Sequence, residues 1–170
     1  MSAPMRSATG SCRWSRLRAP DPLHLTYRRG AADDLPQLFE LNRQALPEHW
    51  SFEGLQQALK NDFDLLVCMD GDTLAGYLLS SDVLDEVHIM QIAVAPDYRR
   101  RGIGETLSRN LIAGKPGMSL FLEVRASNRA AQTLYEKLGF TRSGMRKGYY
   151  VPKTVGEARE DAVLMSYLPE

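Results

Sequence analysis

The chain has 170 residues, 44% of them hydrophobic, with 21 lysines and arginines against 21 aspartates and glutamates and a formal net charge of zero. That length suits one domain burying roughly two-thirds of its unfolded surface and is too short for two comfortable ones. The even charge balance lacks the basic footprint that phosphate-backbone binding needs, and no apolar run reaches the ~18 residues that span a bilayer, so neither nucleic acid nor membrane is an expected partner.

The first residues carry Arg6, Arg13, Arg16 and Arg18 among serines without an acid. Such a composition fits a transit peptide, a disordered tail or an upstream start; without amphipathic periodicity, residues 1–22 are expected to be a disordered extension. Cys12 lies in this tail and Cys68 in the apolar run Leu65–Met69, so no disulfide and a reducing, cytoplasmic setting are expected. His24, His49 and His88 match no metal-ligand spacing, and no metal is expected.

His24–Arg28 alternates as a first strand, broken at Gly30. A helix should follow, capped by Asp33 or Asp34, with Pro36 in its first turn and Leu35, Leu38, Phe39, Ala45 and Leu46 on one face. Ser51 can cap a second, short helix bearing Phe52, Leu55 and Leu59; Trp50 and Phe52 read as core, with walls of an acceptor site as the other role. Asp70-Gly71-Asp72 between two apolar runs signals a hairpin, and the acidic link Asp82–Glu86 leads to a strand over Val87–Val94.

That strand runs into Ala95-Pro96-Asp97-Tyr98-Arg99-Arg100-Arg101-Gly102-Ile103-Gly104-Glu105, a basic, glycine-rich corner opening a helix. Backbone N–H groups at a helix start lack intrahelical partners and carry partial positive charge, so such a corner can hold a phosphate. Position 107 is Leu, which fails the dinucleotide fingerprint, and Gly114-Lys115 is followed by Pro116, which fails the P-loop. Arg99-x-x-Gly102-x-Gly104 therefore reads either as a different anion site or as a turn using glycines for geometry, with the arginine triplet solvated. Gly114–Gly117 ends the helix. Then come an apolar strand over Met118–Val124, a helix with Ala131, Leu134, Tyr135 and Leu138 facing inward, and two last strands from Phe140 and over Glu160–Tyr167. The expected fold is mixed α/β: one central sheet of about seven strands flanked by about four helices.

Leu122-Glu123-Val124-Arg125-Ala126-Ser127-Asn128, followed by Ala131 and by Leu134-Tyr135-Glu136-Lys137-Leu138-Gly139-Phe140, is more specific. Together with the glycine corner it resembles the GNAT N-acetyltransferases, and in particular the RimI-type ribosomal-protein-alanine N-acetyltransferases. Leu84-Asp85-Glu86, Tyr149-Tyr150 and Arg159–Ala162 with Met165 extend the resemblance over about residues 25–169. It departs in the N-terminal extension and in a somewhat longer segment between Tyr150 and Arg159, which bears on acceptor choice.

The resemblance implies a GNAT domain over 23–170, acetyl-CoA as co-substrate, and transfer to a protein N-terminal amine, the alanine of a small-subunit ribosomal protein. It implies that Arg99, Arg100, Arg101, Gly102, Ile103, Gly104 and Glu105 hold the pyrophosphate, and that the backbone of Ile92, Ala93 and Val94 pairs with the pantetheine arm. Asn128 would secure that arm or cap its own helix. Glu123 is the expected general base and Tyr135 the acid for the leaving thiolate; from the residues alone, Glu123 also reads as a solvent-facing strand residue and Tyr135 as core. The same fold could serve a lysine or small-molecule amine, or bind acetyl-CoA without catalysis.

Overall fold

The computed structural model describes residues 24–170, so the expected extension over 1–22 and Cys12 lie outside the described residues. The elements are β1 (Leu25–Arg29), α1 (Leu35–Ala45), α2 (Phe52–Lys60), β2 (Phe63–Asp70), β3 (Thr73–Val83), β4 (Glu86–Val94), α3 (Ile103–Gly114), β5 (Ser119–Arg125), α4 (Arg129–Lys137), β6 (Thr141–Tyr150) and β7 (Glu160–Tyr167). The strands form one seven-stranded sheet in the order β1-β2-β3-β4-β5-β7-β6, in which only the β4/β5 pair is parallel. The mixed sheet with four helices expected from the sequence is what the chain forms.

Both faces of the sheet are covered, which is why its central strands read as nearly unbroken apolar runs. Leu35, Leu38 and Leu41 of α1 and Leu55 of α2 pack with Leu65, Val67 and Tyr77 on one face. Ile103, Leu107 and Leu111 of α3, Tyr135 of α4 and Leu138 just past it pack with Cys68, Leu78, Val87 and Leu122 on the other. Cys68 is a free, buried thiol.

Ser51 caps α2 as its sequence position suggested, its hydroxyl accepting from the Gly54 N–H at 3.0 Å. Asp34 stands at the N-cap position of α1, but its side chain makes no capping bond to that helix. Its carboxylate is taken by Arg28, at 2.8 Å to each of two guanidinium nitrogens, and by the Ala31 N–H at 2.8 Å, so it ties β1 to the entry of α1 instead. The Asp82–Glu86 link is also tighter than expected: β3 runs to Val83 and β4 starts at Glu86, leaving a two-residue turn with Leu84 at φ 57°.

Two irregularities place the site. Leu79 pairs with Gln91 and Ser80 with Ile89, so Met90 is an extra residue that bulges out of β4. The parallel pairing of β4 with β5 then runs only from Glu86↔Ser119 to Ile89↔Leu122. A bulge bends its strand and increases local twist. Beyond it β4 has no partner on the β5 side, and the two strands part.

Candidate active site

The gap between the parted strands opens into a cavity of about 1250 Å³ whose lining includes Gln91, Ile92, Glu123, Asn128 and Tyr135. Two distant stretches of sequence, β4 and the β5–α4 segment, are thus brought to one space. Glu123 sits mid-strand on β5 with its side chain 27% exposed, facing the cavity rather than bulk solvent. Its Oε1 lies 3.3 Å from Arg146 Nε, and hydrogen bonding to this carboxylate, followed by burial, raises the pKa of the Tyr149 phenol. Both partners come from β6: Tyr149 belongs to the pair the sequence singled out, whereas Arg146 carried no signal of its own.

Tyr135 is 3% exposed, packed against Phe140 with ring centroids 5.4 Å apart, and still borders the cavity. It is therefore a core residue that also walls the cavity. Burial above all, and then the nearby Tyr150, raise its pKa well above the ordinary phenol range, so it holds its proton at any neutral pH. Tyr150 shows the same direction, from burial first and from Glu123 and Glu48 next.

Asn128 caps its own helix: its Oδ1 accepts from the Ala131 N–H at 3.1 Å. The residue also lines the cavity.

The glycine corner stands apart from this cavity, at the far end of β4. Gly102 is the N-cap of α3 with φ 75°, and the first intrahelical bond is Thr106 N–H to Gly102 O at 2.9 Å, which leaves the amides of Ile103, Gly104 and Glu105 ahead of the ladder. The two glycines differ in kind. A Cβ at Gly102 would meet nothing within 4 Å, so the left-handed backbone is what calls for glycine there. Gly104 is helical, and a Cβ would make ordinary contacts with Leu134 at 3.6 Å and Ile92 at 3.8 Å. Neither backbone nor packing requires glycine at 104.

The other corner side chains divide. Arg99 Nε donates to Val94 O at 3.3 Å, and Arg101 reaches Asp97 O at 3.3 Å; all three arginines are exposed. The Ile103 side chain is buried, and Glu105 pairs with Arg109 at 2.9 Å and Lys137 at 2.7 Å. For these two residues only the main chain is free to serve a ligand.

Behind β4 lies a buried polar network. Asn42 Nδ2 donates to the Tyr77 hydroxyl and to Gln91 Oε1, each at 2.7 Å, and Asn42 Oδ1 accepts from the Trp50 N–H at 2.7 Å. Tyr77 donates to Gln91 Oε1 at 3.1 Å, and burial pushes its phenol up to about 12. The network seats Trp50, which is half-buried and lines the cavity, so the core role expected for it is combined with a place in the site wall. A polar residue on the apolar face of α1 was the one sequence signal for it. A smaller cavity of about 370 Å³ beside β1, β2 and α2 contains none of the expected site residues.

Residues 35–140 match the Acetyltransferase (GNAT) family. The chain belongs to the GNAT acetyltransferase family. It is 40% identical over 139 residues to the ribosomal protein bS18-alanine N-acetyltransferase of Escherichia coli K12, covering 78% of this chain and 90% of that relative. An N-alpha-acetyltransferase of Saccharolobus solfataricus is 30% identical over 158 residues, covering 83% and 91%. Among solved structures, the Escherichia coli ribosomal-protein-S18-alanine N-acetyltransferase superposes with a TM-score of 0.79 at 33% identity, covering 85% of this chain and 93% of that one. Acyl transfer is thus the chemistry of this GNAT domain. Among the described residues no helix is long and apolar enough to cross a membrane, and no group of His, Cys, Asp or Glu is placed to hold a metal ion.

Proposed function

We propose that this acetyltransferase moves acetyl from acetyl-CoA to the α-amine of an N-terminal alanine, that of a ribosomal protein S18 homologue, in the cytoplasm, within a catalytic domain over 23–170. The observation that carries the reading is that one cavity, bordered by the unpaired edge of β4, holds both a carboxylate and a buried neutral phenol. Family membership and 40% identity to an enzyme of that name support the acceptor class.

The residues present fit acetyl-CoA. Ile92, Ala93 and Val94 lie on the length of β4 that lacks a β5 partner and can pair with an extended amide-bearing arm as a strand would. The free amides of Ile103, Gly104 and Glu105, with Arg99, Arg100 and Arg101 around them, suit a pyrophosphate. When bound, acetyl-CoA supplies the activated acyl group as a thioester.

An α-amine has a pKa near 8 and is mostly protonated at neutral pH, so a proton must leave before attack. Glu123 takes it, directly or through a water. The freed amine attacks the thioester carbonyl carbon, the carbon–sulfur bond breaks, Tyr135 gives its proton to the departing thiolate, and the second proton that leaves the nitrogen as the amide forms returns the phenol to its neutral state.

The test is incubation of the purified protein with acetyl-CoA and a peptide panel that includes alanine-initiated S18-type N-termini, with the acetyl group located by mass spectrometry. Acetyl on the α-amine of the alanine peptides is the expected result. Acetyl confined to lysine side chains or added polyamines would overturn the assignment.

A further inference from the structure

Glu123 and Arg125 stand two residues apart on β5, so their side chains leave the same face of the strand. The Arg125 side chain is only 8% exposed, and it gathers partners from three segments. It pairs with the Glu48 carboxylate from the segment between α1 and α2. It donates to Glu160 Oε2 at the start of β7 at 2.8 Å and to Val151 O just past β6 at 2.9 Å. Its guanidinium carbon lies 4.6 Å from the centroid of the Tyr150 ring. Its own main chain is held from α4, where Gln132 Nε2 donates to Arg125 O at 3.1 Å and Ala126 O at 3.0 Å. Glu48 is secured at its other end, its carbonyl accepting from Gln91 Nε2 at 3.4 Å.

Glu48, Tyr150 and Val151 all line the cavity that contains Glu123. Two loops about a hundred positions apart in the chain therefore meet on one buried cation beside the proposed base. An arginine fork suits this task because its planar donors engage several acceptors in set directions, which a lysine ammonium cannot do. None of the contacts reaches the glycine corner.

We propose that Arg125 is a positioning residue that clasps the α1–α2 loop to the β6–β7 loop over the acceptor end of the cavity and so governs how tightly a peptide N-terminus is held. The proposal deepens the acceptor reading above and rests on it for its kinetic consequence. Its structural consequence stands alone: without the fork, both loops loosen together.

The experiment compares wild type with Arg125→Gln and Arg125→Lys by hydrogen exchange over segments 46–51 and 149–156, by coenzyme A affinity, and by acceptor-peptide kinetics. In Arg125→Gln, exchange should rise in both segments, coenzyme A affinity should stay within about twofold, and KM for the peptide should rise by about tenfold or more, as misplacement of a binding wall implies. Arg125→Lys should restore folding and part of the protection without recovering KM. Should Arg125→Gln fail to fold, Glu48→Gln serves: it removes one partner, so exchange should rise in 46–51 alone with a smaller rise in KM. Unchanged exchange in both segments overturns the clasp even if no peptide is acetylated by any form. Raised exchange with unchanged peptide KM overturns its role in acceptor binding, and equal losses of coenzyme A affinity and peptide KM reduce it to general structure.

Discussion

At the scale of single residues, the two proposed proton carriers differ in what surrounds them, and that difference predicts how each should fail. The polar partners of Glu123, Arg146 and Tyr149, are side chains of β6, so Glu123→Gln keeps the shape of the site and removes the base. Its kcat at neutral pH should fall by about 10² to 10⁴-fold, the usual contribution of a positioned acid–base group, while coenzyme A affinity is unchanged; an unaltered kcat would refute the assignment. Tyr135 is also part of the core beside Phe140, so Tyr135→Phe, which keeps the ring, is the informative change and Tyr135→Ala is not. The corner offers a cleaner separation of fold from ligand. Because a Cβ at 104 would make only ordinary contacts inside a helix, Gly104→Ala should leave the melting temperature unchanged or raise stability by up to about 1 kcal/mol. If the glycine is there for close approach of the pyrophosphate, the same variant should bind coenzyme A more weakly in calorimetry, and undiminished affinity would remove the corner from the site.

At the scale of elements, the site is a product of where β4 and β5 stop pairing, and the sequence exposed the ends of that construction better than its cause. The strand, corner and helix from Val87 to Leu111, and the Glu123 to Phe140 stretch, were legible because local signals coincide there: apolar runs, glycines at a helix start, an asparagine cap. The bulge at Met90 was not, since a bulge is a property of register between two strands and leaves no composition of its own. Asp34 was legible as the N-cap position but not in the use of its side chain, for a related reason: a cap residue is recognised by its neighbours in sequence, whereas its carboxylate is claimed by Arg28 across a turn. The Asn42 network lies between these cases, visible as a polar residue on an apolar helix face but unassignable until Tyr77 and Gln91 were seen beside it. It joins α1, β3, β4 and the Trp50 segment. Asn42→Leu should therefore strand the Trp50 N–H, at about 1 to 3 kcal/mol, and take one donor each from Tyr77 and Gln91, which keep their bond to each other, measured as a lower urea midpoint. A loss no larger than that of an ordinary surface change would show that water replaces the amide without penalty.

At the scale of the whole molecule, the carboxylates that join distant elements set how the fold should respond to acid. Glu160 accepts from the Ser127 N–H at 2.7 Å and from Arg125 at 2.8 Å, and these contacts, Ser127 first, hold its pKa down at about 2 against an ordinary 4.5. Asp34 is likewise lowered from 3.8, chiefly by Arg28. For both, the folded chain binds a proton less readily than the unfolded chain, so the unfolded state carries more protons at mildly acidic pH. Their stabilisation is then fully present above about pH 4.5 and drains away as pH falls toward about 2. The buried phenols of Tyr77 and Tyr135 are shifted in the opposite sense, upward, and add no slope between pH 5 and 8. A melting temperature followed from pH 7 to 2.5 should accordingly be governed by these carboxylates only in its acid limb. Glu160→Gln should start lower at pH 7 and decline less steeply below pH 4.5, its curve approaching wild type near the acid end. Parallel curves for the two proteins across the whole range would mean that the Glu160 bridge between β7 and the β5–α4 junction does not contribute to acid stability, and with it would go the view of Arg125 and Glu160 as one charged tie across the sheet.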